Sequence, residues 1–155
     1  MPAFVMRALL GFIAAALSVV TFHAAMWELL HLLAIPGLTM PAPYPMDLVA
    51  PLGVPRIVSL CFWGGLYGIV FGLMLPRLTG PLWLWGLALG VLAMAVGLFI
   101  VPLFKGGPVG GGWDMMRWLR SLLINGFWGL GVALILPFLL ARMPGRKAGR
   151  GLLHG

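Results

Sequence analysis

The chain has 155 residues, of which 62% are hydrophobic and 8% charged, far from the soluble mix of roughly half apolar and about a quarter charged. That composition excludes a water-soluble globule and leaves no room for a soluble domain beside the apolar runs. The net charge of +7 sets ten Lys and Arg against Glu28, Asp47 and Asp114, with the basic residues at the ends of apolar runs; this argues against a nucleic-acid-binding arm and for groups that set topology or meet anionic lipid.

Four apolar runs are long enough to cross a hydrocarbon core of about 30 Å, which takes roughly 20 helical residues. The expected fold is therefore all-α: a polytopic bundle of four transmembrane helices, one membrane domain over residues 1–155, with spans near 8–33, 57–75, 82–104 and 119–140. The first span begins after Arg7 and stops at Pro36-Gly37, which cannot continue a helix. Its start has the outline of a secretory signal, with Arg7, an apolar run over 8–20 and small residues Ala24 and Ala25. The apolar pattern runs well past that point, so an uncleaved first helix is expected.

Residues 36–55 carry Pro36, Pro41, Pro43, Pro45, Pro51 and Pro55, a density that forbids helix and favours a stiff, extended loop. In the second span Gly64, Gly68 and Gly72 recur every four residues, and Cys61 is the only cysteine, which excludes an internal disulfide and a cysteine-built metal cluster. The third span holds Gly86 and Gly90 on a comparable stripe, and Trp83 and Trp85 mark its interfacial entry. Small residues of this kind let helices approach closely in lipid. A glycine-rich loop, KGGPVGGGWDMM, reads as flexible and leads to the fourth span, where Asn125 is expected to hydrogen-bond across to another helix. Residues 141–155 form a basic tail with Arg142, Arg146, Lys147 and Arg150.

Two stretches, FWGGLYGIVFGLMLPR (62–77) and FWGLGVALILPFLLAR (127–142), share their first three residues and a closing Arg, and Pro36 and Pro102 sit at nearly the same offset. They suggest two duplicated helix-loop-helix hairpins, which would be related by a pseudo-two-fold along the membrane normal. Counting Lys and Arg near span ends gives six on the side of the termini and short turn against four on the side of the long loops. This bias places both termini in the cytoplasm. Eight Arg against two Lys suits a GC-rich bacterial genome, and hence a bacterial inner membrane.

The only glutamate, Glu28, lies in the first span with His23 and His31, and an ionisable residue inside a membrane helix is costly enough to mark a functional position. At about 100° per residue, Thr21, Glu28 and His31 fall within about 80° of one another, and His23 lies about 140° from Glu28. These four are the candidate binding residues. A purely structural role, with Glu28 and His31 hydrogen-bonded to loop backbone, explains the same spacing. Glu28-x-x-His31 matches the ligand spacing of bundle di-iron sites, but with a single glutamate no such centre fits one subunit. Haem would need a second subunit or another axial ligand, since His23 and His31 are about 12 Å apart by helical rise. Copper is the other candidate, through His23, His31, Met40, Met46, Met115 and Met116, because imidazole and thioether suit Cu(I); methionine as apolar filler accounts for the same residues. No cofactor is strongly implied.

Ser18 and Thr21 are expected to return their hydroxyls to their own helix. No nucleophile-base pair, phosphate loop or acid pair is visible, so an enzyme is the weakest class. Two readings remain: a transport-like or ion- and ligand-binding module with its polar site at the outer end of the first span, or a non-catalytic accessory subunit packed through its glycine faces. Beyond the lipid bilayer, the expected partner is a second copy or a larger membrane complex.

Overall fold

The computed structural model describes residues 1–50 and 53–143. It is a bundle of four helices, each long and apolar enough to cross a membrane: α1 (Ala3–Leu33), α2 (Arg56–Arg77), α3 (Leu82–Lys105) and α4 (Met115–Ala141). The helix ends follow local chemistry. Ala34 closes α1 in the left-handed conformation (φ 48°) just before Pro36, and Gly106 does the same for α3 (φ 68°). Proline precedes α2 and α3, at Pro55 and Pro81. Asp114 caps α4, accepting the Met116 N–H at 3.0 Å, as a carboxylate at that position does. That cap starts α4 four residues earlier than the sequence reading placed it, so Met115, Met116 and Arg117 belong to the helix and not to the loop.

The bundle is ordered α2-α1-α4-α3, with α1 and α4 forming the central seam. Glycines bring the outer helices in. A methyl group at Gly68 would strike the carbonyl oxygen of Gly11, and one at Gly72 that of Arg7, so α2 lies directly on the α1 backbone. On the other side Gly86 faces Gly129 and Ala133, and Gly90 faces the Asn125 carbonyl. A common core runs through the seam, built on Leu10, Ala14, Val19, Phe71, Trp128, Val132 and Leu136. The outward faces carry Leu9, Ile13, Phe62, Val70, Leu84, Leu92, Leu134 and Phe138, a surface suited to hydrocarbon and not to water.

Both long helices of the first and third spans contain one π turn, Val19–His23 in α1 and Val96–Ile100 in α3. A wider turn disturbs the regular ladder and needs other donors nearby. In α1 side chains add to the backbone donors: Trp128 Nε1 donates to Ala15 O at 3.1 Å, Thr21 Oγ1 to Leu17 O at 2.7 Å and Tyr44 OH to Val20 O at 3.1 Å. Ser18, fully buried, does not bond its own helix as expected; its hydroxyl donates to Trp128 O at 2.6 Å and ties α1 to α4. Ser18→Ala is expected to cost about 1 kcal/mol, the scale of an interhelical hydrogen bond in a membrane, measured as a shift in detergent-induced unfolding. Asn125 departs from expectation in the opposite sense. Its Nδ2 donates to Ser121 O at 2.8 Å within α4, and it is its backbone carbonyl that lies against Gly90 across the seam.

The duplication is visible only as two hairpins. A two-fold relating them would give α2 and α3 a seam equal to that of α1 and α4, and they have little contact. The matched tryptophans also differ: Trp63 is 59% exposed and Trp128 3%. Pro36 lies beyond its helix, whereas Pro102 lies inside α3, which continues to Lys105.

Candidate functional site

The two long connections lie at one end of the bundle, and there the first loop is strapped onto α1. Leu38 is buried with Leu30 and Ile124. Trp27 Nε1 donates to Pro41 O at 2.8 Å, His31 Nδ1–H donates to Met40 O at 2.8 Å, and Tyr44 reaches back to Val20 O. A two-residue antiparallel pair, β1 (Leu48–Val49) with β2 (Val54–Pro55), closes the loop, and Arg56 holds Asp47 with Nε to Oδ2 at 2.8 Å. The proline-rich segment is tied down by these bonds and includes a minimal strand pair that the all-α expectation left out.

Between this strap and α1 runs a groove of about 540 Å³, lined by Val20, Thr21, Ala24, Ala25, Glu28, Pro43 and Tyr44. Thr21 and Glu28 share it, in keeping with the helical period. Glu28 Oε2 is closed off from solvent and has no hydrogen-bond donor among the described residues. An acceptor left this way costs on the order of 1–3 kcal/mol, and more when charged. His31 does not join them. Its Nδ1 is taken by the Met40 carbonyl, the bond to loop backbone considered for the pair, while Glu28 Oε2 has no such partner among the described residues.

His23 faces away from the groove, into the bundle. It is 8% exposed, packs its ring 5.6 Å from that of Trp27, and opens on a second pocket of about 250 Å³ bounded by α1, α3 and α4, which Asn125 also lines. His23 and His31 therefore do not converge on one ligand. Among the described residues no three His, Cys, Asp or Glu side chains gather as a metal site. Met40 packs into the Leu30–Leu38–Ile124 cluster and Met116 against Gly37, while Met46 and Met115 are exposed.

The second loop, expected to be flexible from its glycines, turns tightly through them. Gly110, Gly111 and Gly112 take left-handed conformations in succession (φ 66°, 64° and 71°). Trp113, Trp118 and Phe99 stack around that turn, with Trp118 Nε1 donating to Gly110 O at 2.7 Å. Sequence reasoning missed Tyr44 and Pro43, which wall the Glu28 groove from a loop read only as a spacer. It also missed Arg117 and Arg120 as pocket residues. Arg117, Ser121 and Asn125 stand at i, i+4 and i+8, a polar stripe on one helical face that the spacing alone could have shown. Of the tail, Arg142 stacks over the Phe138 ring at 4.3 Å; Arg146, Lys147 and Arg150 lie outside the described residues.

Set against protein-family models, curated proteins and solved structures, the chain matches none.

Proposed function

We propose that this chain is a small multi-pass membrane protein, a transport-like or ligand-binding module, that seats a small organic cation in the groove beside Glu28. The reading rests on the chain's only glutamate, which lines the groove and whose Oε2 is closed off from solvent with no hydrogen-bond donor among the described residues. A carboxylate next to an aromatic wall such as Tyr44 suits an ammonium group, which gains from both charge and ring face. Arg-rich composition and the bias of basic residues support a bacterial inner membrane with both termini cytoplasmic, which would open the groove near the outer surface.

The accessory-subunit reading rested on glycine faces free to dock a partner. Gly68, Gly72, Gly86 and Gly90 are used inside the chain instead. The test is a titration of the protein in maltoside micelles with tetramethylammonium, followed calorimetrically. Wild type is expected to bind, and Glu28→Gln to bind about 30-fold more weakly, since a charge-assisted contact is worth about 2 kcal/mol. Equal binding by both proteins would end the proposal.

A further inference from the structure

We infer that the pocket between α1, α3 and α4 is a binding site for a phosphate-type oxyanion, separate from the Glu28 groove. Its polar wall consists of His23, Arg117, Arg120, Ser121 and Asn125. Among the described residues no carboxylate lines it, and the three acidic side chains lie elsewhere: Asp47 pairs with Arg56, Asp114 caps α4 and Glu28 lines the groove. Two guanidiniums one helical turn apart offer the forked donors that recognise phosphate oxygens. His23 adds a ring more than nine-tenths buried that opens on the pocket. Ser121 Oγ stands 3.3 Å from Asn125 Nδ2, which leaves the hydroxyl hydrogen free to donate.

Arg117 is exposed, and contacts around the pocket hold its neighbours. Arg120 Nη1 donates to Thr39 O at 3.3 Å, which ties it to the first loop. A methyl group on Gly111 would come within 2.9 Å of Arg117 Cδ, so the left-handed turn of the second loop forms a close wall behind that side chain. Trp27, held by Pro41 O, braces the His23 ring. Both π turns border the pocket, through His23 in α1 and Gly97 in α3, and such turns gather at functional positions. At about 250 Å³ the space is below the roughly 300–1,000 Å³ of drug-sized sites. It admits a free phosphate or the headgroup of an anionic lipid, and not a whole nucleotide.

The experiment uses the full chain in maltoside, a detergent without phosphate, with Trp fluorescence and native mass spectrometry as readouts. One arm titrates inorganic phosphate and the other short-chain phosphatidylglycerol. Binding in the first arm identifies a soluble oxyanion and binding only in the second a lipid headgroup; either supports the site. Arg117→Gln is expected to weaken the binding roughly tenfold or more. Gly97→Leu tests the pocket sterically. A Cβ at Gly97 meets nothing within 4 Å, so the fold is kept while the longer side chain fills the space, and binding is expected to fall likewise. Arg77→Gln, at the other end of the bundle, is expected to change nothing. The inference is overturned if wild type binds neither probe, if Arg117→Gln and Gly97→Leu leave binding within about twofold, or if Arg77→Gln weakens it as much as they do.

Discussion

Trp128→Ala is expected to destabilise the bundle by about 3–5 kcal/mol, the range for removing a buried tryptophan side chain. This residue reaches across three helices. From α4 it donates Nε1–H to Ala15 O beside the π turn of α1, and its own carbonyl receives the Ser18 hydroxyl. Its indole lies over Gly64 of α2 and edge-on to Tyr67, ring centroids 6.1 Å apart. Truncation removes the packing and one of the two donors to the Ala15 carbonyl, which keeps the Val19 N–H. Trp128→Phe keeps most of the volume and loses only the N–H, so a smaller cost of about 1–3 kcal/mol is expected. Unfolding by sodium dodecyl sulfate titration measures both; equal stability of Trp128→Ala and wild type would remove the residue from this role.

Gly68→Ala carries the second large effect, with a sign that depends on position. In an unconstrained helix, replacing Gly with Ala is favourable by about 0.8–1.0 kcal/mol. At Gly68 the new methyl meets the Gly11 carbonyl and the Ala15 side chain, and two packed backbones cannot both move aside. A loss of about 1–3 kcal/mol is expected there, as for other overpacked sites. Gly97→Ala, which meets nothing, is expected to be neutral or stabilising. The same titration decides, and two variants of equal sign would show that the α1–α2 contact is looser than described.

These positions also show what the sequence made legible. The four helices follow from composition, because no solvent but hydrocarbon suits such surfaces, and the two ends marked by Pro and Gly were readable from those residues. The start of α4 was not, since the apolar run begins only near 119, whereas Asp114 caps a helix whose first turn holds Met115, Met116 and Arg117. Neither π turn is marked by its residues, VVTFH and VGLFI; beside the one in α1, the Trp128 donor to Ala15 O lies more than a hundred residues away.

The candidate site was legible on one face only. Thr21 and Glu28 share a groove because helical period puts them there, whereas His31 is turned aside by a loop carbonyl that no periodicity foretells. The second pocket needs α1, α3 and α4 together, and Arg117 and Arg120 gain their meaning only from that convergence.

The most direct measurement on the cation site is labelling of Glu28 by a hydrophobic carbodiimide, read by peptide mass spectrometry, with and without tetramethylammonium. A carboxyl group in an apolar groove that seats a cation is expected to be modified in the free protein and protected as the cation is added. Glu28 that is modified equally at every cation concentration, or never modified, would contradict the assignment of this groove as a cation site.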